Sequence, residues 1–120
     1  MDFDNSKPIY LQIIDHVKKE IIKEELKVGE KMPSQREMAQ KLKVNPNTVQ
    51  RAYREMESMN LIETYRGQGT FIIREQGLIK RLKAEMAEEI LDNFLREMLS
   101  LGISKDEIID FISKTEGERK

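Results

Sequence analysis

The stretch "VNPNTVQRAY", residues 44–53, constrains the fold more than any other part of this chain. Apolar residues at helical spacing flank it, and Asn45-Pro46-Asn47-Thr48 cuts between them. A break of this composition starts a helix. Asn45 supplies an N-cap oxygen, and Pro46 falls at the first helical position, where its missing N–H is no loss. The helix that follows buries Val49, Ala52, Tyr53 and Met56. Upstream, Ser34-Gln35-Arg36-Glu37 is a capping box, whose hydroxyl and carboxylate satisfy two free N–H groups. It opens a short helix over 34–42 with Met38, Ala39 and Leu42 inward. Two helices joined by a tight turn, with small Ala39 at their approach, predict a helix-turn-helix.

The flanking segments extend this unit. Pro8 opens an earlier helix with Tyr10, Ile13, Ile14, Val17 and Ile21 on one face, running to about Leu26. "KVGEKMP" then marks a connection through Gly29 and Pro33. After the second helix pair, "LIETY", "RGQG" and "TFIIR" read as strand, glycine-containing loop and strand. Arg66 and Gln68 occupy the tip, and Gly67 and Gly69 permit positive φ and close backbone approach. A helix-turn-helix followed directly by a hairpin predicts a winged helix over 8–75, in a mainly α (α+β) fold.

From Gln76 the pattern changes to a long amphipathic helix ended by Gly102. Ser104-Lys105-Asp106-Glu107 is a second capping box, opening one more helix. Residues 76–116 therefore form a two-helix appendage. Its apolar residues Leu78, Leu82, Met86, Ile90, Phe94, Met98, Ile108, Phe111 and Ile112 are more than two helices can bury alone. They need either the N-terminal domain or a second copy of the chain to cover them, and a second copy is the preferred expectation.

Composition narrows the function. The chain has 120 residues, no Cys and a net charge of −1. Residues 31–74 carry eight basic and four acidic side chains, net +4, within an otherwise acidic molecule. A central basic segment points to a polyanion. The start "MDFDNS" lacks an apolar stretch of the secretory type, and no apolar run approaches a membrane span. A cytoplasmic protein without a membrane partner is expected. An enzyme is not: His16 is the lone histidine, on the first helix, and "GQG" is too short to cradle a phosphate. No catalytic residue, metal or cofactor is expected.

With the buried stripe assigned, Asn47, Gln50, Arg51 and Arg54 point outward. These side-chain types bond base edges and phosphates. The competing class, a winged helix serving as a protein-interaction adaptor, calls for an apolar outer face on 46–58, and this face is polar.

Pro8 through Arg74 resembles the winged-helix domain of GntR-type bacterial transcription regulators. The motifs that carry the likeness are "KMPSQREMAQKLKVNPNTVQRAYREME" and "NLIETYRGQGTFI". "NPNTVQRAY" is similar to the YtrA and MocR branches. A MocR protein continues into a large aminotransferase-like domain that binds pyridoxal phosphate, for which this chain has no room. The short two-helix tail resembles the YtrA branch, where it serves dimerisation. The resemblance implies a homodimeric repressor on an inverted-repeat operator of double-stranded DNA, nucleoid-associated when bound. It implies DNA contacts from Arg36, from Asn45, Pro46, Asn47 and Thr48 at the helix start, from Gln50, Arg51 and Arg54, and from a wing of Arg66, Gly67, Gln68 and Gly69. A small-molecule effector, if there is one, would need a pocket between copies or beside the tail. Two departures stand out. Pro46 occupies a position that is often Arg in other branches, and Lys43 replaces a frequent Gly. In a left-handed conformation, Lys43 would be strained by about 1–2 kcal/mol.

Overall fold

In the computed structural model, which describes the backbone of residues 2–119 and the side chains of residues 2–115, the first apolar stripe forms α1, Ile9–Ile22. Ile13, Ile14, Val17 and Ile21 are its buried face. Both of its ends depart from expectation. Pro8 is the N-cap, with ψ 135°, rather than a residue of the first turn. The helix stops four residues before Leu26 because Glu24 takes a φ of +61°. The N–H groups of Glu25 and Leu26 then turn back onto the Glu20 carbonyl, at 2.8 and 3.1 Å. That reversal lets Leu26 pack against the core.

The next two helices match their capping signals. Helix α2, Gln35–Leu42, starts at Ser34 with both bonds of the capping box formed. Ser34 Oγ accepts from the Glu37 N–H at 3.1 Å, and Glu37 Oε1 accepts from the Ser34 N–H at 2.9 Å. The Ser34 N–H, and then its hydroxyl, hold the Glu37 carboxyl below the usual range. Helix α3, Pro46–Ser58, has Asn45 as its N-cap and Pro46 in its first turn. It packs against α1 and α2, and Val49, Ala52, Tyr53 and Met56 form its buried face. Tyr53 donates from its hydroxyl to the Pro33 carbonyl at 2.6 Å, so the buried phenol is satisfied. Burial, more than the nearby Glu37, pushes this phenol up.

Lys43 ends α2 in the left-handed region, φ 57° and ψ 48°. This brings the Val44 N–H to the Ala39 carbonyl at 3.1 Å and aims the chain into the next cap. The strain anticipated at this position is therefore present. Lys43→Gly should relieve it, offset in part by the greater freedom of an unfolded glycine. A net gain of roughly 0.5–1 kcal/mol is expected, seen as a higher urea midpoint. A lower midpoint would show that lysine is comfortable there.

Strands β1, Ile62–Tyr65, and β2, Gly69–Ile72, pair antiparallel, with Ile62 opposite Ile72 and Tyr65 opposite Gly69. The connection before α2 adds a third edge that sequence reading treats as loop. Lys31 bridges to Phe71, the Met32 N–H reaches the Thr70 carbonyl at 2.7 Å, and the Ile72 N–H reaches the Glu30 carbonyl at 2.8 Å.

Helix α4, Leu78–Ser100, and α5, Lys105–Arg119, complete the chain. Gly102 at φ +78° separates them, and the second capping box closes at Ser104 and Glu107. The chain divides into two compact units, through Leu82 and from Lys83 onward. This moves the expected boundary by two turns of helix. Leu78 and Leu82, assigned to the tail, belong instead to the core of the first unit, at 1% exposure each. The start of α4 is latched there by Arg81, which bonds Glu75 in two places, at 2.7 and 3.2 Å. In the second unit Ile108 is buried within the monomer, so it too is no free contact.

Candidate nucleic-acid interface

Helix α3 sets the geometry of the site. Its buried stripe spans roughly 100° of the helix circumference at 3.6 residues per turn, so the opposite side is fixed by the same residues. Asn47, Gln50, Arg51 and Arg54 all lie on that side and are exposed. None of the three arginines Arg36, Arg51 and Arg54 pairs with a carboxylate among the described residues. Their charge is left for an outside anion.

The face has two flanks. Toward α2 a groove of about 590 Å³ is lined by Arg36, Gln40, Pro46, Asn47 and Gln50, among others. Toward α1 a shallower cleft of about 310 Å³ is lined by Ile9, Tyr10, Asn47, Thr48 and Arg51. Asn47 borders both, and Gln50 and Arg51 lean to opposite sides. Arg36 thus lines the same groove as Gln50, across the α2–α3 turn.

Asn45 is the N-cap that its sequence position implied. Its Oδ1 is occupied by the Asn47 N–H at 2.8 Å, which caps α3. Pro46 shapes the groove wall and has no donor to offer. Thr48 is half-buried, and its N–H is bonded to the Asn45 carbonyl at 3.0 Å.

The wing is a turn over Tyr65–Gln68, closed by the Gln68 N–H on the Tyr65 carbonyl at 2.9 Å. Gly67 at φ +79° supplies the left-handed third position that such a turn needs. Arg66 and Gln68 project from the exposed tip. Gly69, at φ +117°, has its own reason. A Cβ there would lie 2.8 Å from Lys31 Cε, so the glycine lets the lysine chain cross the hairpin. Lys31 is a basic wing residue that sequence reading missed, because the pairing that brings it there is long-range. Tyr10 and Gln40 were missed for the same reason, being on elements read only as supports.

A helix-turn-helix with a polar, cationic outer face and a glycine-tipped hairpin behind it defines a winged helix-turn-helix DNA-binding domain. The profile described as "Bacterial regulatory proteins, gntR family" matches residues 9–72. The chain belongs to that family and is a transcriptional regulator, not an enzyme. It is 47% identical over 116 residues to the HTH-type transcriptional regulator YhcF of Bacillus subtilis, covering 96% of each chain. It is 40% identical over 98 residues to the HTH-type transcriptional repressor YtrA of the same organism, covering 77% of this chain and 75% of that one. Among solved structures it is similar to a GntR family transcriptional regulator from Listeria monocytogenes. That likeness has a TM-score of 0.83 at 43% identity, over 93% of this chain and 98% of the other. Among the described residues no helix is long and apolar enough to cross a membrane.

Proposed function

We propose that this regulator is a homodimeric repressor that acts in the bacterial cytoplasm, nucleoid-associated while it holds an inverted-repeat operator. One observation carries the DNA-facing part. The exposed side of α3 presents two amides and two arginines, Asn47, Gln50, Arg51 and Arg54, with no carboxylate paired to either arginine among the described residues. Gln50, beside Arg36 in the α2-side groove, is the base reader. Arg66 and its wing neighbours follow the flanking backbone. The similarity to a protein named a repressor, YtrA, supports the sign of regulation. A small dimer seated on a promoter blocks polymerase without further parts.

Dimerisation is supported by the apolar residues that the second unit leaves in water. Ile90, Leu91, Leu99, Leu101, Ile109, Phe111 and Ile112 are all more than half exposed. A second copy of the chain covers them in a symmetric interface, where every contact occurs twice.

The base-reading role has a direct test. Gln50→Ala should weaken operator binding by roughly 1–3 kcal/mol and change binding to random duplex far less. Arg66→Ala should weaken both alike and flatten the salt dependence. Fluorescence anisotropy on the two duplexes separates these outcomes. Equal loss on both from Gln50→Ala would make Gln50 a backbone contact.

A further inference from the structure

Arg51 is held by a side chain from another helix. Its guanidinium carbon lies 3.9 Å from the centroid of the Tyr10 ring, over the ring face. Its Nη2 donates to the Tyr10 hydroxyl at 3.2 Å. Tyr10 sits in the first turn of α1, half-buried, with its ring packed against the core. The core fixes the ring, and the ring fixes the arginine. Arg36, Arg54 and Arg66 have no such support among the described residues.

The stack leaves the charge intact. An aromatic face attracts a guanidinium through its quadrupole and neutralises nothing, whereas a carboxylate would cancel the charge. Among the described residues, one donor of Arg51 is used, on the hydroxyl. Arg51 itself lines the cleft it shares with Ile9, Asn47 and Thr48. A planar fork of donors held in one place matches the geometry of a phosphate. A mobile surface arginine must also lose its rotamer freedom when it binds, and a stacked one has already lost much of it.

We infer that Tyr10 is a positioning residue of the DNA interface, holding the Arg51 guanidinium ready for a backbone phosphate on the α1 side of α3. The inference rests on the reading of α3 as the DNA-facing helix and adds a division of labour to it. The α2 side, with Gln50, reads bases. The α1 side, with Arg51 on its tyrosine support, grips the strand. Phosphate contacts carry no sequence information, so the loss of Tyr10 should be felt equally on operator and random DNA.

The test uses the full chain as wild type and as Tyr10→Phe, Tyr10→Leu, Arg51→Ala, the Tyr10→Leu/Arg51→Ala pair, and Gln50→Ala. Binding to operator and scrambled duplexes is measured over a series of salt concentrations, with melting temperatures alongside. Tyr10→Leu keeps an apolar body on the core and removes the stack. It should weaken binding to both duplexes about three- to tenfold. Tyr10→Phe keeps the ring and should retain most of the affinity. In the Arg51→Ala background, Tyr10→Leu should add no further loss, since the two residues act as one unit. Arg51→Ala should also reduce the salt slope by about one, a readout that core packing alone does not move. The inference is overturned if Tyr10→Leu weakens binding as much without Arg51 as with it, or weakens the operator alone, or weakens neither. It is also overturned if Gln50→Ala weakens operator binding and Arg51→Ala does not. If both of those leave binding untouched, the DNA-facing reading of α3 itself falls.

Discussion

Replacing Ile90 and Phe111 together by Glu should turn the regulator into a monomer and weaken its hold on the operator by about 10²–10⁴. Both side chains are more than half exposed in the single chain, at 64% and 54%, so a charge there can reach water without opening the core of the monomer. In a dimer the same charges would be buried against apolar surface, with their repeats brought close by the symmetry. One winged helix has a central segment of only net +4, so its own grip is weak and strongly salt-sensitive. Two linked copies reach both half-sites of an inverted repeat, and the second binds at high effective concentration without any new contact. Sedimentation and anisotropy on the same samples check both halves of the expectation, with circular dichroism confirming retained helix. A double variant that stays dimeric, or binds as tightly as wild type, removes the tail from dimerisation.

Leu82→Ala should destabilise the winged-helix unit by about 2–5 kcal/mol, a large share of a small domain's stability of roughly 5–15 kcal/mol. Leu82 is 1% exposed and lies in the same cluster as Ile13, Val49 and Ile72. Truncating it leaves a cavity that the surrounding helices and hairpin cannot fill. Urea unfolding followed by circular dichroism measures the loss. A cost under about 1 kcal/mol would return Leu82 to a surface role and restore a boundary at residue 75. By the same argument, a chain ending at Glu75 lacks both Leu78 and Leu82 and should not hold its fold.

Much of this was legible from local chemistry. Ser34 with Glu37, and Asn45 with Pro46, each mark a helix start because capping joins residues only two or three apart. The stripe of Val49, Ala52, Tyr53 and Met56 placed the outward face of α3 for the same reason, since helical periodicity is itself local. Gly67 announced the wing, because few other residues tolerate its φ. The two strand-prone runs on either side of the glycine-containing loop placed the hairpin, though not its third edge.

What the sequence by itself determined, then, is the helices, the hairpin and the polar face of α3, because caps, periodicity and turn residues act over less than two turns of chain. Only the tertiary structure decided where apolar residues of one continuous stripe are buried. From Leu78 to Met98 the spacing is unbroken, yet Leu78 and Leu82 enter the winged-helix core while Ile90 stays in water. Periodicity says which side of a helix is apolar, and only the neighbours in space say what covers it. The same limit hid the pairing of Lys31 with Phe71 and the stacking of Arg51 on Tyr10, which join residues 40 or so positions apart. No local pattern in an amino-acid sequence encodes such a contact, because it exists only once the core has brought the two segments together.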